Sequence, residues 1–174
     1  VYTNARRGAL SLSATAFQPR AFLDSLSGSE SELLSKFINL KFACTESVPE
    51  WVYIDKNKLG SVLVQLIDNA VKFTGSGEIK VLCDTSNDGK LLCFSIIDSG
   101  EGMSVATRSN VFDAFYQGTP PKDSTIKSSG LGLTIVKELL MRLNGNITLI
   151  SQTEPPSGTT MKIILNGVVS GENR

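Results

Sequence analysis

Apolar residues recur at helical spacing through Leu59, Val62, Leu63, Leu66, Ile67, Ala70 and Val71, which predicts one amphipathic helix over Lys56 to Phe73. Asp55 precedes it as an N-cap, and Thr74-Gly75-Ser76-Gly77 breaks it. A second helical pattern runs from Pro19 to Phe37 through Phe22, Leu23, Leu26, Leu33, Leu34 and Phe37, with a break at Gly28. A third passes through Leu131, Ile135, Val136, Leu139, Leu140 and Leu143, with Asn144-Gly145 as its C-cap. Strand-like runs fall at Ile38 to Cys44 and Trp51 to Ile54, on either side of the turn signal Ser47-Val48-Pro49, and again at Ile147 to Gln152 and Thr159 to Leu165. Glu78 to Asp84 and Leu91 to Ile97, joined by Asn87-Asp88-Gly89, predict a hairpin. Between Ser99 and Ser129 lies a long glycine- and proline-containing loop, interrupted only by Val111, Phe112, Phe115 and Tyr116; anchored loops of this length usually serve a function. Helices and hairpins are grouped rather than alternating. The expected class is therefore α+β, a two-layer sandwich with helices on one face of a mixed, mostly antiparallel sheet.

Composition narrows the chemistry. A chain of 174 residues with 41% apolar content supports one core and one domain. Lys+Arg and Asp+Glu both number 17, so no basic field exists to gather nucleic acid, and any phosphate must be held locally. No apolar run reaches the roughly 18 to 20 residues that span a bilayer, so this segment is not expected to insert in a membrane. The chain has no histidine, which removes the commonest general base and zinc ligand. Cys44, Cys83 and Cys93 lie far apart in apolar runs and read as buried reduced thiols.

Three groups of residues have the chemistry of a nucleotide site. Gln65, Asn69 and Lys72 fall within about 60° of arc on the polar side of the central helix. They offer amide oxygens to a hard cation and an ammonium to phosphate, although a solvated helix face explains the three taken alone. Asp98-Ser99-Gly100-Glu101-Gly102 follows an apolar strand, where a carboxylate at the sheet's end can accept from an exocyclic amine and thereby favour adenine. Ser129-Gly130-Leu131-Gly132-Leu133 leads directly into a helix, whose N-terminus can meet phosphate. Neither a Rossmann fingerprint nor a GxxxxGK[ST] P-loop is present.

In order, LIDNAVKFT, DSGEG, VFDAFYQ, SGLGL and Gly158-Thr159-Thr160 resemble the N, first glycine, F, second glycine and final glycine-threonine motifs of the histidine-kinase ATPase family. The resemblance implies the Bergerat ATP-binding fold, with ATP and Mg²⁺ as cofactors. It implies Asn69 as a Mg²⁺ ligand with Gln65 beside it, Lys72 on the phosphates, Asp98 on the adenine amine and Thr160 in support. Gly100, Gly102, Gly130, Leu131 and Gly132 then shape the hinges of an ATP lid at about 99–130, Lys127 reaches the γ-phosphate, and Phe112 and Phe115 anchor the lid. The implied division is a linker at 1–16, an ATP-binding domain at 17–166 and a tail at 167–174.

The family usually carries Asn where Gln65 stands and Gly where Ser128 stands. Related chaperone and topoisomerase ATPases place a Glu at Gln65 to act on water, and an amide takes no proton at neutral pH, so kinase rather than hydrolase chemistry is expected. The implied function is that of a sensor histidine kinase catalytic domain. With no histidine here, the acceptor would lie on a separate dimerisation domain of the same parent, with a response regulator or receiver domain downstream. The parent would be membrane-anchored with this domain in the cytoplasm. The alternative, motivated by Gln65 and Ser128, is a nucleotide-sensing or scaffold domain without kinase activity.

Overall fold

The computed structural model describes residues 13–29, 37–86, 88–116 and 130–166. Its central element is α2, Lys56–Phe73, whose Leu59, Val62, Leu63, Leu66, Ile67 and Ala70 are buried on one face. Asp55 caps it by accepting from the Lys58 amide at 3.0 Å, pairs with the Lys58 ammonium, and also accepts from the Ser13 amide at 3.1 Å. Burial opposes the charge of Asp55, but these hydrogen bonds prevail and hold its carboxyl below the ordinary value of 3.8. A lowered folded-state pKa contributes stability that is present above the unfolded value and lost as pH falls through the folded one. Asp55→Asn, which keeps a cap acceptor but loses the ion pair, is therefore expected to destabilise by about 1 kcal/mol at neutral pH. In chemical denaturation that deficit should begin to shrink as pH falls to about 4 and be lost only below the lowered folded-state pKa.

Five strands form the main sheet in the order β2-β4-β5-β7-β6: β2 is Ile38–Cys44, β4 Gly77–Thr85, β5 Leu91–Asp98, β6 Gly145–Gln152 and β7 Gly158–Asn166. Only the β2–β4 pair is parallel. Alternation puts Ile79, Val81, Leu92, Phe94, Ile96, Met161, Ile163 and Leu165 on the face that meets α2, and all of them are buried. Beside α2 lies α4, Gly132–Arg142, and α1, Pro19–Ser29, covers β2. The layers are those expected, helices on one face of a mostly antiparallel sheet.

Several details differ from the sequence expectation. The strands flanking Ser47-Val48-Pro49 do not pair with each other: β2 joins β4, while β3, Val52–Ile54, pairs antiparallel with β1, Thr15–Phe17, in a separate two-stranded sheet. That sheet draws Thr15 and Ala16, assigned to the linker, into the folded unit. The first helix ends at Ser29, and Phe37 is 72% exposed rather than part of its stripe; Leu33 and Leu34 lie outside the described residues. Buried positions of α4 are Leu133, Val136 and Leu140, so Ile135, 46% exposed, faces away from the core. Asn144 takes the left-handed conformation at the end of α4, and Gly145 already begins β6. The long loop contains a short helix, α3, Val105–Asn110, capped by Ser104. All three cysteines are free; Cys83 and Cys93 are buried and Cys44 is half-buried, and burial pushes each thiol up.

Candidate nucleotide site

Asp98 ends β5 beside the first residues of β7, and its two carboxylate oxygens have different surroundings. Oδ1 accepts from the Gly100 amide at 2.9 Å and from the Thr159 amide at 3.1 Å. Oδ2 accepts no hydrogen bond among the described residues. Burial raises the carboxyl above its ordinary 3.8, and the two amide donors offset only part of that rise. A half-buried carboxylate with one oxygen fixed and the other open is an acceptor aimed at an N–H donor.

The backbone around it is closely fitted. A Cβ on Gly100 would lie 2.4 Å from the Phe73 carbonyl oxygen and 3.0 Å from Asp98 Oδ1. Gly102 adopts φ +73°, and a Cβ there would stand 1.9 Å from the Gln152 carbonyl oxygen. Met103 donates its amide to Ser151 Oγ at 2.7 Å, and Ser151 Oγ is 2.9 Å from Thr159 Oγ1. The start of the long loop is thus tied to the two strand ends that hold Asp98.

Register separates Thr159 from Thr160. Asp98 pairs with Thr159, and Ile97 with Thr160. Directly paired residues share a face, so Thr159, 6% exposed, stands on the helix side with Asp98, whereas Thr160 lies on the opposite side of the sheet. Of the two threonines of the motif, Thr159 is therefore the one on the face that carries Asp98.

On α2, Gln65, Asn69 and Lys72 are each half-buried and share the side away from the apolar stripe. Burial pushes the Lys72 amine down, and its Nζ lies 5.1 Å from the centre of the Phe73 ring. Gln65 Oε1 is 2.9 Å from where a Cβ on Gly132 would stand, so its amide abuts the N-terminus of α4. Gly130 is left-handed at φ +70°, Leu131 occupies the N-cap of α4, and the Phe115 amide donates to the Gly130 carbonyl at 3.1 Å. The described ends of the loop meet there. Phe112 packs against the core, but Phe115 is 73% exposed, so only the first of these two phenylalanines anchors the loop by its side chain. Lys127 and Ser128 lie outside the described residues, as does much of the lid expected at 99–130.

Taken as a receptor, these elements offer an acceptor at Asp98, glycines against which an added Cβ would clash, an ammonium at Lys72, amides at Gln65 and Asn69, and a helix N-terminus at Gly132. That donor set suits a purine nucleotide with an amine on the base and phosphates toward α4. Among the described residues no group of three or more His, Cys, Asp or Glu is placed to hold a metal ion. A cation entering with phosphate would therefore rely on amide oxygens of the kind Asn69 supplies.

Residues 54–167 match the family described as "Histidine kinase-, DNA gyrase B-, and HSP90-like ATPase". The sequence is 32% identical over 132 residues to the Sensor protein EvgS of Escherichia coli K12, covering 73% of this chain and 11% of that protein. It is 34% identical over 131 residues to the Sensor histidine kinase YvrG of Bacillus subtilis, covering 75% of this chain and 22% of that protein. Full-length ShkA, solved in complex with AMPPNP, superposes with a TM-score of 0.80 at 24% identity, over 95% of this chain and 33% of that one. The catalytic domain of histidine kinase ThkA gives 0.71 at 21% identity, over 88% of this chain and 95% of that one.

Proposed function

Because the chain belongs to the histidine kinase-, DNA gyrase B- and HSP90-like ATPase family, we propose that it is the catalytic ATP-binding domain of a sensor histidine kinase, holding Mg·ATP and presenting the γ-phosphate to a histidine on a separate domain. The observation that carries this reading is Asp98, with Oδ1 fixed by two backbone amides and Oδ2 open beside Gly100. Relatives are named sensor and hybrid signal transduction histidine kinases, of which this chain spans only a small part. The chain itself contains no histidine to serve as acceptor.

In this reading Asp98 Oδ2 accepts from the adenine amine, and the glycines at 100 and 102 let the backbone close on the base. Lys72 neutralises phosphate oxygens, its lowered pKa being a consequence of burial that an anion would relieve. Asn69 would hold the metal, while Gln65, turned toward Gly132, joins α2 to the N-terminus of α4. Bound Mg²⁺ would supply charge neutralisation between the phosphates. Phosphoryl transfer depends mainly on positioning and charge stabilisation, and Gln65 provides no carboxylate to activate water, so ATP is preserved until an acceptor histidine arrives.

The proposed partners are a histidine-bearing dimerisation domain of the same parent, upstream of the residue 1–16 linker, and a receiver domain downstream. The parent is proposed to be membrane-anchored, with this domain in the cytoplasm. No helix among the described residues is long and apolar enough to cross a membrane. Calorimetric titration with a non-hydrolysable ATP analogue, with and without Mg²⁺ and against the GTP analogue, is expected to show adenine-selective binding strengthened by Mg²⁺. Equal affinity for the two bases would refute the role given to Asp98.

A further inference from the structure

The backbone that fixes Asp98 is itself fixed from a distant part of the chain. Gly100 donates its amide to Asp98 Oδ1 at 2.9 Å, and its carbonyl accepts from Ser157 Oγ, also at 2.9 Å. Ser157 stands 57 positions further along, in the turn between β6 and β7. That turn presses on the end of β5: a Cβ on Gly158 would lie 2.2 Å from the Asp98 carbonyl oxygen. A side chain needed only to close its own turn would bond within it, as Gln152 does in donating Nε2 to the Pro156 carbonyl. Ser157, half-buried, instead reaches the loop that carries the glycines. Gly100 has no side chain with which to set its own orientation, so the bonds at its two backbone ends matter more than they would elsewhere.

Resting on the nucleotide reading above, we infer that Ser157 is a positioning residue for base recognition: its hydroxyl holds the Gly100 carbonyl, so that the Gly100 amide pins Asp98 Oδ1 and leaves Oδ2 directed at the base. Without that hydroxyl the Gly100 carbonyl is free to pair with water, and a glycine has the conformational freedom to follow it. The amide then drifts from Oδ1. Asp98 loses one of the two donors that offset its burial, and its carboxyl rises further above the ordinary 3.8. Charged neighbours do not compensate. Glu78 and Lys80 of β4 and Lys162 of β7 lie on the opposite face of the sheet, Glu101 and Glu154 are exposed, and Lys72 on α2 is untouched by the change.

Wild type, Ser157→Ala and Ser157→Thr would be compared by ligand-free Tm, by ADP affinity in calorimetry, and by the pH titration of the Gly100 amide followed by NMR without nucleotide. That amide donates to the titrating carboxyl, so its midpoint reports Asp98 directly. Ser157→Ala is expected to bind ADP roughly 3- to 10-fold more weakly, with the Gly100 midpoint moved to higher pH and Tm near that of wild type. Ser157→Thr, which keeps the hydroxyl, should restore both affinity and midpoint. An unmoved Gly100 midpoint overturns the inference even if affinity falls, because Ser157 would then brace its turn and nothing more. Wild-type ADP affinity in Ser157→Ala, or loss of the fold in that variant, overturns it equally. Failure of the wild type to bind ADP would sink the nucleotide reading and this inference together, whereas ADP binding by the wild type with a Gly100 midpoint indifferent to Ser157→Ala sinks this inference alone.

Discussion

Asp98→Asn is expected to weaken adenine nucleotide binding by about 1 to 3 kcal/mol, roughly 5- to 150-fold, while leaving the ligand-free protein at least as stable at neutral pH. The two effects have opposite signs for one reason. Asparagine keeps an Oδ1 that can accept from the Gly100 and Thr159 amides, so the local hydrogen bonds survive. At the second position an NH₂ replaces Oδ2, and a donor then faces the donor of the base. Stability moves the other way because burial raises the pKa of Asp98. A carboxyl whose folded-state pKa is raised contributes stability below its unfolded pKa, and that contribution is lost as pH rises through the folded value. At pH 7 the ionised group is a net cost that the variant removes, so its Tm advantage should shrink as pH falls toward the carboxylate range. Calorimetric affinity and Tm measured across pH test both halves. A variant that loses affinity only by unfolding would show that Asp98 is structural.

The elements legible in the sequence were those whose information is local. The Asp55 cap and the stripe through Leu59, Leu63, Leu66 and Ala70 define α2 within one segment, and the turn at Gly89 joins two strands that pair with each other. Asp98 was legible because a carboxylate at the end of an apolar strand, followed by two glycines, is unusual for packing alone. The parallel pairing of β2 with β4 was not legible, since it depends on residues brought together across α2. Thr159 and Thr160 are chemically identical, and only the register with β5 decides which faces the site; a slip of one residue exchanges them. Thr74 read as a helix breaker, and nothing in its neighbours along the chain announces a buried unpaired hydroxyl.

The backbone path from Asp98 into the long loop makes Gly102 the second sensitive position. Gly102→Ala is expected to destabilise the fold by at least about 2 kcal/mol, lowering Tm by roughly 4 to 8 °C for a chain of this size. Two costs combine. Any Cβ disfavours φ +73°, by about 1 kcal/mol in the left-handed region. The added methyl would also stand 1.9 Å from the Gln152 carbonyl oxygen, and backbone cannot swing aside as a flexible side chain does. The strain is relieved only by moving residues 102 and 103 away from β6, which loosens the Met103 amide from Ser151 Oγ. Ser151 in turn contacts Thr159, whose amide holds Asp98, so nucleotide affinity should fall even at temperatures where the variant remains folded. Gly75→Ala is the control, because a Cβ there meets nothing within 4 Å and its φ does not lie in the left-handed region. It should change stability by no more than about 0.5 kcal/mol. If the two substitutions behave alike in thermal melts and ADP titrations, the close approach of the loop to β6 does not govern the site, and the hydrogen-bonded path from Met103 to Asp98 has no energetic role.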